Sequence, residues 1–146
     1  MSGTDHAREF AGAARRHFDD AELLRFNSRW PNADYHYGFA VECALKSLLL
    51  RYLGATMSQQ DKPRDGSGNL GHLPGVWNRA RLAAQGRSAT RLVSAMGTDN
   101  PFDGYSVTHR YRGNPQVDAE VLSERRETAH RMLSLHQQAL VAGGLR

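Results

Sequence analysis

A chain of 146 residues is expected to form one domain, and at that length roughly 68–70% of the unfolded chain's surface can be buried. The formal charge of +4 and pI near 9.6 permit contact with polyanions without requiring it, and the bias of 17 arginines over two lysines also arises from a G+C-rich genome. MSGTDHAREF has no apolar signal core, no segment approaches about 18 uncharged apolar residues, and the single cysteine, Cys43, cannot form an internal disulfide, so a cytoplasmic protein with no membrane span is expected.

In chain order, residues 5–29 carry Phe10, Ala14, Phe18, Ala21, Leu24 and Phe26 among charges, which predicts an amphipathic helix. Pro31 disfavours helical backbone at Trp30, so the first helix is expected to stop there, with Asn32 or Asp34 capping the next. Residues 35–53, YHYGFAVECALKSLLLRYL, predict a second helix, almost wholly apolar, ended by Gly54. Periodicity vanishes over residues 55–71, where DKPRDGSGNLG predicts a mobile surface loop. Pro74 then opens a short helix carrying Val76, Trp77, Ala80 and Ala83. Ala89, Leu92, Val93 and Met96 predict another, stopped by Gly97. After a long loop, a last helix is expected from Val117 or Asp118 to about Val141, with Gly143 and Gly144 beyond it. YSVTHRY, at residues 105–111, is the one stretch that reads as a strand, so the fold class predicted is all-α, an up-and-down bundle of four to five helices.

Within the second helix, Glu42 and Lys46 stand four residues apart with the acid on the N-terminal side, the favourable order on one helix face. Their neighbours are Phe39, Val41, Leu45, Leu49 and Leu50, so burial is expected. A buried charge costs several kcal/mol unless it is paired, and the pair is read first as a structural anchor.

The segment GFAVECALKSLL resembles the second-helix signature of the HEPN superfamily (higher eukaryote and prokaryote nucleotide-binding), in the small bacterial branch with a Glu-Cys-x-Leu-Lys core. Tyr105 and HRYRG, at residues 109–113, resemble the Arg-Tyr motif before the last long helix of that branch. The resemblance implies the same helical bundle, a homodimer, and a role in a toxin–antitoxin or phage-defence type system. It also implies that Glu42 and Lys46, with Arg110, Tyr111 and Arg126, could hold a phosphate or nucleotide.

Many proteins of that superfamily are metal-independent ribonucleases whose signature is an arginine, four to six residues, then a histidine. In such a site the arginine stabilises the phosphorane and the histidine moves a proton at the 2′-hydroxyl or the leaving oxygen. Arg29 with His36, Arg125 with His130 and Arg131 with His136 fit, but a shuffled chain of this composition would hold about 2.4 such pairs, so the spacing has little specificity. Within one helix Arg125 and His130 would point about 140° apart, and no histidine follows Arg110 at the required distance. A ribonuclease acting on RNA would use Arg125 and His130, assisted by Arg110 or Arg126. The alternative is a non-catalytic module that binds a nucleotide or a partner protein, such as a nucleotidyltransferase or an antitoxin. No spacing of His, Cys or Asp suggests a ligand set, so neither a metal nor another cofactor is expected.

Overall fold

The computed structural model describes residues 2–111, 113 and 117–146, the side chain of Arg110 excepted. Among these are α1 (Gly3–Phe26), α2 (Trp30–Tyr52), α3 (Gly75–Gly86), α4 (Thr90–Met96) and α5 (Ala119–Ala142), with a 3₁₀ turn at Val107–Tyr111. The chain is a helical bundle, as its periodicity predicts. None of these helices is long and apolar enough to cross a membrane.

Helix α1 begins with a capping box, Ser2 Oγ accepting from the Asp5 N–H while Asp5 accepts from the Ser2 N–H, so two otherwise unmatched donors are satisfied. Its buried positions Ala7, Ala14, Phe18 and Ala21 are mostly small, which lets its backbone approach α2 closely. A tight turn at Asn27, Ser28 and Arg29 reverses the chain. Helix α2 then starts at Trp30, earlier than expected, with Pro31 in its first turn, where proline removes no helical hydrogen bond. Neither Asn32 nor Asp34 acts as the cap; Asp34 is inside the helix and buried.

Helix α2 is the axis of the molecule, with Ala33, Tyr37, Ala40, Val41, Ala44, Leu45, Leu48 and Leu49 all buried between α1 and α5. Cys43 lies on it as a buried free thiol. Asp118 caps α5 by accepting from the Val121 N–H at 2.8 Å, and Gly143 ends it in the left-handed conformation, close to the predicted limits.

Two further expectations need correction. Residues 55–71 are not structureless: β1 (Thr56–Met57), β2 (Pro63–Asp65) and β3 (Gly68–Asn69) form an antiparallel meander. Strands this short carry no alternation to detect, and one side chain from α3 clasps them, since Arg79 donates to Asp65 and to the carbonyls of Gly68 and Asn69. Nor is YSVTHRY a strand. Tyr105 is drawn into the core and Val107–Tyr111 turns as a 3₁₀ helix.

Tyr105 packs on bare backbone of α2 at Gly38, where an added Cβ would stand 2.3 Å from the ring. The ring has little freedom to retreat, because its hydroxyl donates to the Tyr35 carbonyl at 2.9 Å and its face meets Phe102 edge-on. Overpacking costs about 1–3 kcal/mol, against about 1 kcal/mol gained by replacing a mid-helix glycine with alanine. Gly38→Ala is therefore expected to lower the melting temperature, and Gly38→Ala combined with Tyr105→Leu to recover part of the loss; thermal denaturation of the two variants checks this.

Candidate functional site

Asp34, Gly38, Glu42 and Lys46 follow one another at four-residue steps and so form a seam along α2. Glu42 is 4% exposed and accepts three hydrogen bonds: from Lys46 Nζ at 3.1 Å, His72 Nδ1 at 3.0 Å and the Leu73 N–H at 3.0 Å. Lys46, also buried, lies 6.0 Å from the centroid of the Phe10 ring of α1. The pair named from the sequence therefore joins α1, α2 and the segment leading into α3, and the Lys46 charge is matched internally.

Arg125 is buried on α5. It donates to Asp34 Oδ1 at 3.2 Å and lies over the rings of Phe102 and Tyr105, 5.0 and 5.4 Å from their centroids. Its neighbour Arg126 makes a forked contact with Glu22 of α1, at 2.7 and 3.2 Å, and the Tyr37 hydroxyl donates to the same carboxylate at 2.8 Å. Burial, with the Glu22 hydrogen bond, pushes the Tyr37 phenol up to about 12. Two adjacent arginines are thus each committed to a carboxylate on another helix. Tyr111 is exposed at the end of the 3₁₀ turn, and the Arg110 side chain lies outside the described residues.

His130 has different surroundings from Arg125. It is exposed, 6.2 Å from the Phe18 ring between centroids, and lines a groove of about 610 Å³ between α1 and α5. Arg15 and Phe18 form one wall of this groove, Ser134 and Gln137 the other, and Ala44 of α2 contributes to its lining. His136, at its edge, contacts Ser47 Oγ through Nε2 at 2.8 Å. Ser47 gives its single proton to the Ala7 carbonyl at 2.7 Å, so His136 must be the donor, with a proton on Nε2. That hydrogen-bonding direction leaves Ser47 without a base.

Burial, with Arg51 adding to it, holds His136 below its ordinary value of 6.5. For a base with a depressed native value, the contribution to stability is complete above the unfolded value and is lost as pH falls through the native one. The urea midpoint is expected to fall between about pH 7 and pH 5, and His136→Gln to flatten that fall; titration of the midpoint against pH measures both.

No family model matches this chain, and searches of curated proteins and of solved structures find no match. The site has to be read from its own chemistry.

One further constellation has no counterpart in the sequence analysis, which expected no metal. His17 and Asp20 of α1 and His36 of α2 bring their ligand atoms within 4.8 Å of one another, and the two Nδ1 atoms are 3.1 Å apart. Burial holds both imidazoles below their ordinary value. No linear motif contains this set, because it spans the hairpin. A usable signal did exist: His17 and Asp20 share a helix face, and Asp20 and His36 are equidistant along the chain from Ser28 in the turn.

Proposed function

We propose that this chain is a HEPN-like helical module of a toxin–antitoxin or phage-defence type system, one that binds a nucleotide or a partner protein and does not itself cleave RNA. The HEPN-like part of the reading rests on the resemblance of GFAVECALKSLL, and one observation carries its non-catalytic part. Arg125, which the ribonuclease signature would require at the scissile phosphate, is buried against Asp34 and two aromatic rings. A guanidinium so placed would have to break a buried ion pair to reach substrate, at a cost of several kcal/mol. The groove between α1 and α5, with Arg15 and His130 on its walls, is the surface offered to a ligand.

Assembly as a homodimer, or with a nucleotidyltransferase or antitoxin partner, belongs to the same proposal. The apolar residues of α2 are consumed within the chain, so a self-interface would use what remains exposed on the outer helices: Leu23 and Phe26 of α1, or Leu140 and Val141 of α5. Light scattering of the purified chain, alone and co-expressed with the product of the neighbouring open reading frame, tests assembly; a monomer under both conditions removes it.

Arg15 and His130, lining one groove, favour a second reading in which a ribonuclease uses Arg15 in place of Arg125. Incubation of wild type and His130→Ala with varied single-stranded RNAs in excess chelator separates the two. Absence of cleavage by wild type supports the binding module. Fragments with cyclic phosphate ends from wild type alone establish the enzyme.

A further inference from the structure

The α1–α2 hairpin places two imidazoles and a carboxylate around one point, and none of the three lines the α1–α5 groove. We propose that His17 Nδ1, His36 Nδ1 and a carboxylate oxygen of Asp20 bind a divalent first-row transition-metal ion.

The spacing of the two nitrogens is the first argument. At a metal–nitrogen distance of about 2.1 Å, nitrogens 3.1 Å apart subtend about 95° at the ion, whereas tetrahedral ligands would stand about 3.4 Å apart. The site therefore suits two cis positions of a six-coordinate or square-based ion. Asp20, one turn beyond His17 and exposed, supplies the third ligand.

Donor chemistry is the second argument. Two neutral imidazoles and one carboxylate favour zinc, nickel, cobalt or ferrous iron over calcium and magnesium, which take oxygen ligands. Without an ion, the two Nδ1 atoms can share only one proton in their hydrogen bond; a cation engages both lone pairs. The rings are also held in place: His17 stacks on Phe39 with centroids 4.9 Å apart, and His36 meets Tyr35 edge-on at 5.8 Å. A site carried by two packed helices is positioned before the ion arrives. Arg16, beside His17, is the cation that opposes binding, and the Asp20 carboxylate offsets it.

The experiment is titration of the chelator-stripped 146-residue chain with Ni(II) and Zn(II) by calorimetry, and with Co(II) by visible absorption. One ion per chain is expected. Asp20→Asn, an exposed position whose change should leave the melting curve unaltered, is expected to weaken binding about tenfold, and His36→Gln by more. His6→Ala, outside the cluster, is expected to bind as wild type does. The proposal is overturned by a wild-type chain that takes up no ion at free metal on the order of 100 μM. It is equally overturned by affinity that Asp20→Asn and His36→Gln leave unchanged, and either result would leave a histidine–histidine hydrogen bond as the whole content of the contact.

Discussion

Glu42→Ala is expected to lower the stability of the fold by about 3–5 kcal/mol, the largest effect of any single substitution considered for this chain. The carboxylate is 4% exposed and serves three donors, so its removal orphans the Lys46 ammonium, itself 8% exposed, and the buried Leu73 N–H. Against a total of about 5–15 kcal/mol for a domain, such a loss would be visible in any urea titration. An exposed i,i+4 pair would yield only about 0.3–0.5 kcal/mol. The double variant Glu42→Leu with Lys46→Met is expected to regain much of the loss, since replacing both charges leaves neither stranded. A midpoint unchanged in Glu42→Ala would mean that the seam carries no structural weight.

Asp34→Ala comes second, at about 3 kcal/mol, toward the low end for breaking a buried pair because Arg125 keeps its two aromatic contacts. Burial pushes the Asp34 carboxyl above its ordinary range, with Arg125 and His109 pulling it partly back. A carboxyl raised in the native state contributes stability that is complete below its unfolded value and is lost as pH rises through the native one. The charged form is therefore the costly one near neutrality. Asp34→Asn, which keeps the shape and an acceptor, is expected to cost much less than Asp34→Ala at pH 7. Urea midpoints of both variants measure the difference, and equal losses would refute this account of the pair.

What the sequence revealed, and what it hid, follows the range of the interactions. Glu42 with Lys46, the Asp118 cap and the Gly143 stop are contacts within a turn or two of helix, and their spacing alone exposes them. Asp34 and Arg125 stand 91 positions apart in the chain, and neither residue bears a local mark of the other; by its local context Asp34 reads as a cap. The same distance hid the pairing of Glu22 with Arg126, for which a phosphate-facing role was the local alternative. Tyr105 stood in a strand-like run because Tyr, Val and Thr favour strands, but burial beside Gly38 overrode that preference. The meander was hidden for the opposite reason, since its strands are too short for a pattern and a helix side chain organises them.

Cys43 gives the central position of α2 a practical consequence. The thiolate is the form that alkylates, and here burial, with Glu42 adding to it, pushes the thiol up to about 11 while packing keeps reagent away. Modification in the native state is slow on both counts. Because the chain has no other thiol, every labelled molecule records one departure of α2 from its neighbours. When reclosing is fast, the labelling rate measures the equilibrium between closed and open core; when it is slow, that rate equals the opening rate itself. The native sequence, through its own thiol, thus reports the kinetics of its innermost helix without an engineered labelling site.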